Sequence, residues 1–523
     1  MTLCGGEPVQ ERGDCATFFP RAAVDGSGMR VWACALLAAL AGCTVGPDYR
    51  RPATDLPHAW KTEAPWRAAT PADEVPRGAW WTVFADPQLD ALETAALAGS
   101  PTLAIAGERL AQAQAVVTQT ASALVPQVGL GATASRTRLS GTRPRFIYSF
   151  VLPSAVQNDF VVAPSVAYEP DLFGKIRREV EAANASAQQA QANLETARLV
   201  LTADVAAAYF ALRELDAETD TVRRSLALQR HALAIVRAQH DVGSASAIDV
   251  ADQVAALESA TTEIEALQVQ RDRTEHEIAA LLGKAAPAFA IAPDPHPRPV
   301  PAIPAGVPSD LLQRRPDIAS AERAMAAANA QIGVAKAAFY PDIRLGLMGG
   351  TESRMVSQLL QAPSVIWSFG VSAAQVFYDG GYRSAGVALA QAGYRATHDE
   401  YRKTVLAAMQ EVEDGLTTAQ DLDRAAAEAA AASAAARSAH DLARDRYAVG
   451  VDDRLDVIRA HEALVADERR QVEIRGQRLA NTVLLVKALG GSWSAPTQAK
   501  AQVAPGPAGQ RQKPSSSKKI SPR

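Results

Sequence analysis

The chain has 523 residues, a formal net charge of −4 and only 6% aromatic residues. Its Lys and Arg residues are scattered among Asp and Glu along alanine-rich stretches, which leaves no basic field for gathering nucleic acid and predicts long helices. The cysteines Cys4, Cys15, Cys34 and Cys43 all lie near the amino terminus, so the body of the chain can form neither an internal disulfide nor a cysteine metal site.

In chain order the first signal is Met29-Arg30, an apolar run over 31–40, then Leu40-Ala41-Gly42-Cys43. A charged start, an apolar stretch and small residues are the marks of a secretory signal. The ending resembles a lipobox, which implies that Cys43 is the acylated first residue of the mature chain. Residues 1–42 are then leader and signal peptide, with 1–28 an extended leader or a misplaced start. The alternative, a short buried helix with an incidental cysteine, fits poorly with the polar, proline-rich sequence on either side. A run this short does not span a bilayer, whereas several acyl chains anchor a protein to one. Thr44 follows the cysteine in place of Asp, which by the same resemblance implies sorting to the outer membrane.

Beyond a lipid-anchored segment (43–86) the chain is one design written twice. Val242-Gly243 with Asp249-Val250 aligns with Val449-Gly450 and Asp456-Val457, and Leu282-Gly283 with Leu489-Gly490. Upstream, Ser100-Pro101 aligns with Arg315-Pro316, and Pro126 with Pro341. Such self-similarity marks a repeat architecture. The repeats occupy 87–284 and 309–493. A connector over 285–308, with Pro293, Pro295, Pro297, Pro299 and Pro301, favours extended backbone; the tail over 494–523 is expected to be disordered.

Each repeat opens with a helix, over 87–123 and 309–338, that ends before a proline. Alternation follows: Val128, Leu130, Ala132 and Ala134 against Gly129, Gly131, Thr133 and Ser135, then Ile343, Leu345 and Leu347 against Arg344, Gly346 and Met348. These are strands, and return strands near 160–168 and 365–376 make one hairpin per repeat. Next comes a long helix, over 172–241 and 382–448, of roughly 100 Å. A turn at Val242-Gly243 or Val449-Gly450 sends the chain back along a second helix with coiled-coil-like apolar spacing.

No run after the signal reaches the 18 or so apolar residues of a membrane helix, so any crossing falls to the strands. Four strands do not close a barrel, but three copies supply about twelve. The expected fold is therefore mainly α with a small β part: long antiparallel helical hairpins set side by side as a tube, and four strands contributed to a trimeric transmembrane β-barrel.

Trp80-Trp81-Thr82-Val83-Phe84-Ala85-Asp86-Pro87, Tyr168-Glu169-Pro170-Asp171-Leu172-Phe173-Gly174-Lys175, Arg314-Arg315-Pro316-Asp317-Ile318 and Phe339-Tyr340-Pro341 together resemble the TolC-like outer-membrane efflux factors, lipoprotein branch (OprM/NodT-like). The resemblance covers nearly all of 43–493. It implies that the tube of helical hairpins is a periplasmic α-barrel, in a homotrimeric exit channel of a tripartite efflux system that exports small toxic amphiphilic compounds. The implied partners are a periplasmic adaptor, a proton-driven inner-membrane pump and outer-membrane lipid; no cofactor and no catalysis are implied. By position, the adaptor-contacting hairpin tips are Val242, Gly243, Val449 and Gly450. The periplasmic gate is Asp249, Tyr447, Asp456 and Arg459, with Asp249 and Tyr447 linking neighbouring hairpins. An arginine–glutamine link of some members is missing, because Asp452 and Ala238 stand there.

Plainer readings cover some of the same residues. Gly243 and Gly450 serve as helix-ending glycines, and Ser246-x-x-Asp249 and Asp453-x-x-Asp456 have the spacing of capping boxes. His231, His240 and His461 lack metal spacing and read as surface residues, and no nucleophile or phosphate-loop motif appears. A duct for type I protein secretion is the alternative within transport. A structural coiled-coil lipoprotein accounts for the helices and anchor but not for the alternating hairpins.

Overall fold

The computed structural model describes residues 44–52, 79–138, 140, 156–301 and 315–491. The signal run, Cys43, Arg314 and the tail from 494 lie outside these residues.

Asp86 starts the helical part by accepting from the amides of Gln88 (3.0 Å) and Leu89 (3.3 Å). This N-cap precedes Pro87 at the first helical position, where a missing N–H is harmless. The helix expected over 87–123 is in fact two, α1 (Pro87–Gly99) and α2 (Pro101–Ala121). The ring of Pro101 forces Ser100 into extended backbone, φ −68° and ψ 121°, because a proline clashes with a helical predecessor.

The strands β1 (Gln127–Arg138), β2 (Val156–Tyr168), β3 (Asp342–Ser353) and β4 (Val365–Ala374) form one antiparallel sheet in that order. Both expected hairpins are present, and the register pairs Val128 with Val166, Val166 with Leu347, and Leu347 with Phe369. One face of the sheet is therefore apolar across all four strands, and the other carries mostly small or polar residues. Pro164 has no amide to donate, and the β2–β3 pairing lapses between the Val162–Thr351 and Ser165–Met348 pairs. There the strands approach so closely that a Cβ on Gly350 would meet the Val162 carbonyl oxygen at 2.2 Å.

Next come α3 (Lys175–Asp241), α4 (Ala247–Leu281), α5 (Pro316–Ala337), α6 (Tyr382–Ala448) and α7 (Arg454–Ala488). At 67 residues each, α3 and α6 reach about 100 Å. The start of α3 lies at Lys175 rather than 172 because Asp171 caps it, accepting from the amides of Ile176 (3.2 Å) and Arg177 (2.8 Å). The second repeat uses the same device: Asp379 accepts from the amides of Gly381 (3.0 Å) and Arg383 (3.2 Å) before α6. The start of α5 expected at 309 falls partly outside the described residues, which resume at Arg315.

One compact unit gathers the strands with the adjoining helix ends, Ala121–Val180 and Ala330–Val387, and a second holds the helical remainder. In the helical unit Trp80, Trp81, Phe84, Leu89, Tyr209, Phe210, Leu212, Ile278 and Val483 make one core, and Ile318, Met325, Tyr401, Val405, Val412 and Leu416 make another. Each such side chain contributes roughly 1.5–3 kcal/mol by leaving water.

A buried polar network binds the connector to this unit. Asp216 receives Arg213 (2.6 Å), Arg271 (2.8 Å) and the amide of Asp294 (3.0 Å). Arg271 and Arg213 also donate to the carbonyls of Ile291 (2.6 Å) and Ala292 (3.0 Å). Arg298 bridges Asp294 (2.6 Å) and Asp86 (2.7 Å), and Asp86 accepts the Tyr209 hydroxyl (2.7 Å). Burial would raise the Asp86 carboxyl, but the bonds from Arg298 and Tyr209 hold it below the usual carboxylate range. Glu93 on α1 is fully buried, and neither carboxyl oxygen has a hydrogen-bond partner. Burial, then the charge of Asp90, push its pKa up to about 9, so it packs as the neutral acid.

Candidate functional site

The hairpin turns of the helical unit hold most of the candidate residues. Gly243 and Gly450 both have φ +78°, the left-handed backbone that ends a helix and that glycine adopts without strain. Gly243 donates to His240 O at 2.8 Å and Gly450 to Tyr447 O at 3.0 Å. Beside them Val242 and Val449 are 79% and 75% exposed, so each tip presents an apolar side chain to solvent.

After the first turn the expected capping box is complete. Asp249 N donates to Ser246 Oγ (3.1 Å) and Ser246 N to Asp249 Oδ2 (2.7 Å). The bonds from Ser246 hold the Asp249 carboxyl below the usual carboxylate range. After the second turn only half of the box forms: Asp456 N donates to Asp453 Oδ1 at 3.0 Å, with no return bond from the Asp456 side chain. The reason is the cap itself, since the Asp453 carboxylate repels a second carboxylate that would approach the Asp453 amide. Asp456 and Arg459 are both exposed. On the same tip Arg446 grips Asp452 through two bonds of 2.7 Å, which keeps the Asp452 carboxyl below its ordinary range.

Asp249 and Tyr447 have different partners within one chain. Tyr447 Oη accepts from Gln239 Nε2 at 3.1 Å, and Arg454 Nη1 donates to Gln239 Oε1 at 3.4 Å. Arg454 also reaches the carbonyl of Ala232. An arginine–glutamine contact is therefore made, close to Asp452 and Ala238 but by other residues. Gln239 clasps the end of α3 to both arms of the second hairpin, a role that helix periodicity alone does not show. The repeat does hold a clue: Gln239 and Arg446 are equivalent positions, and both reach out to hold a tip.

His461 is not a lone surface residue. It lies 5.4 Å, centroid to centroid, from the ring of His440, and its Nε2 is 3.1 Å from Ser225 Oγ. Burial, then the charge of His440, hold its pKa below the ordinary histidine value.

The motif residues that carried the resemblance have structural work. Arg315 grips Asp317 (2.7 Å) and Glu411 (2.6 Å) and donates to the Ala488 carbonyl (2.9 Å) at the end of α7. Trp80 Nε1 donates to Thr202 (3.0 Å). Phe173 stacks on Tyr340 at 4.8 Å.

The family described as "Outer membrane efflux protein" matches residues 92–284 and 307–491, one segment for each repeat. The chain belongs to the outer membrane efflux protein family. Among its relatives, the chain is 31% identical over 467 residues to the toluene efflux pump outer membrane protein TtgF of Pseudomonas putida, covering 88% of this chain and 96% of that one. It is 30% identical over 468 residues to outer membrane protein OprJ of Pseudomonas aeruginosa, covering 88% and 95%. A solved structure of the outer-membrane channel OprN superposes with a TM-score of 0.76 at 30% identity, covering 86% of this chain and 99% of that one. The mainly helical fold with one small four-strand sheet is that of the family's outer-membrane channels, and the function is efflux across the outer membrane. The family is one of channels rather than of enzymes.

Proposed function

We propose that three copies of this chain close a twelve-stranded barrel in the outer membrane and act as the exit duct of a tripartite pump. The observation that carries this reading is the sheet. Four strands of 10–13 residues match the length a tilted strand needs to cross a bilayer. Their apolar face is open to the surroundings, with Trp367 77% exposed, and β1 and β4 are unpaired edges that closure would satisfy.

In this reading the tips Val242, Gly243, Val449 and Gly450 dock a periplasmic adaptor coupled to a proton-driven inner-membrane pump, and the cargo is small amphiphilic toxic compounds. Asp456 and Arg459 line the narrowed end, and Asp249 and Tyr447 join hairpins of neighbouring copies when it is shut. Cys43 carries the lipid. Its neighbours are fixed near the helix-joining edge of the sheet: Val45 N donates to Phe173 O at 3.2 Å, and Arg178 donates to the carbonyls of Val45 and Gly46, each at 3.3 Å. That position would deliver acyl chains to the periplasmic leaflet.

The test is to measure the mass and conductance of the purified protein. A trimer that conducts in planar bilayers, whose deletion sensitises a strain lacking other such channels to amphiphilic toxicants, is expected. A stable monomer without conductance overturns the reading.

A further inference from the structure

The hairpin end of the sheet separates charge across a wall one strand thick. On the apolar face the register aligns Val128, Leu130, Ala132 and Ala134 of β1 with Val166, Pro164, Val162 and Phe160 of β2. The β1 column then ends in Arg136 and Arg138, opposite Asn158 and Val156. Across all four strands these two arginines are the sole charged residues on that face. On the opposite face at the same end stand Asp159, opposite Ser135, and Glu352, opposite Val161. Arg136 and Arg138 are exposed.

Arg136 lies eight residues beyond Val128, about 27 Å along a strand at roughly 3.4 Å per residue. With a tilt of about 40° that is about 21 Å across the bilayer, close to the far limit of an apolar band about 25 Å tall. The arginines therefore stand at headgroup level. Resting on the channel reading above, the helix-bearing edge faces the periplasm, and the hairpin edge faces the outer leaflet.

We propose that Arg136 and Arg138 form a docking surface for the phosphate groups of the outer leaflet's phosphorylated glycolipid. A guanidinium fork matches phosphate oxygens in charge and geometry. The apolar column beneath, Ala134 to Val128, offers a strip along which the acyl chains lie. The inward carboxylates Asp159 and Glu352 keep the opposite sign on the pore side, so an anionic headgroup is drawn to the outer wall and not into the lumen.

The experiment is native mass spectrometry of the full-length trimer extracted in mild detergent, with bilayer conductance as a parallel readout. Wild type should retain phosphorylated glycolipid, R136Q/R138Q should bind added lipid A roughly thirtyfold more weakly, and R136K/R138K should recover part of the binding. Dephosphorylated lipid A should bind wild type as poorly as lipid A binds the double glutamine variant. Equal retention by R136Q/R138Q, or equal binding of phosphatidylglycerol, overturns the proposal. A conducting glutamine variant that has lost the lipid upholds it, whereas a wild type that fails to conduct undermines the channel reading instead.

Discussion

The middle of the helical unit and its tips handle charge in opposite ways. In the middle, Asp216 and Arg213 are 2% and 3% exposed in their side chains and paired, while burial pushes the carboxyls of Glu93 and Glu214 up to about 9 and about 7. At the tips Arg446, Asp452, Asp249 and Asp456 are held by a few bonds near solvent or by none. Buried ion pairs resist the loss of a partner strongly, while exposed ones contribute little. The lesson is that one pair of helices combines a fixed anchor with an end that a small change in free energy can rearrange. The two tips differ as well, since Ser246 draws Asp249 into a closed box while Asp453 leaves Asp456 free.

The largest effect should come from breaking the anchor. Asp216→Asn leaves Arg213 without its carboxylate and Arg271 with Glu275 alone, and should cost about 3–5 kcal/mol, read as a lower unfolding midpoint in denaturant; an unchanged midpoint would show the network to be dispensable. Glu93 comes next. Its folded pKa of about 9 lies above the ordinary glutamate value of 4.5, so the folded state binds the proton more tightly, and its stabilising contribution is full below 4.5 and fades as pH rises through 9. Melting temperature should therefore fall over that window in wild type and fall less in Glu93→Gln. Parallel pH profiles would show that Glu93 is not the cause.

At the tips the effects are smaller but should appear as function. Gln239→Ala removes the bonds to Tyr447 and Arg454, about 1–3 kcal/mol together, and should raise single-channel conductance. Tyr447→Phe removes one of them together with the proposed link to a neighbouring copy's Asp249 and should raise it as well; unchanged conductance would argue that the Tyr447 hydroxyl holds neither contact. Asp456→Asn should leave stability unchanged, because Asp453 carries the cap, yet weaken cation preference and block by trivalent cations. Asp249→Asn should alter selectivity less, and equal shifts in the two variants would erase the distinction between the tips.

Much of this was legible in the sequence because it rests on local rules. Alternation at Val128–Ser135 and Ile343–Met348 gave the strands, and Val242-Gly243 and Val449-Gly450 gave the tips. The break at Ser100 follows from Pro101 and was missed because the apolar pattern runs on through it. The network of Asp86, Asp216, Arg271 and Arg298, the clasp of Gln239 and the pairing of His440 with His461 were not legible. Each depends on which turn of one helix lies beside which turn of another, a register set by packing between residues far apart in the chain. The sequence did single out Asp249 and Asp456 as equivalent, but only the cap geometry tells them apart.

The buried network around Asp216 has a mechanical meaning. It anchors α3 firmly in the core, and from there the helix continues for about 25 residues, roughly 38 Å, to its tip, steadied on the way by Val222 and Leu226 against α4 and by Ser225 at His461. A pinned rod of that length is a lever with its fulcrum in the core. A tilt of about 5° at the pin moves the end by roughly 3 Å, the length of one hydrogen bond. Bonds such as Gln239 to Tyr447 (3.1 Å) sit at the far end of the arm, where a latch has the greatest leverage against rotation. A few weak contacts there can hold a long helix in place, and a partner that grips the end needs little force to swing it.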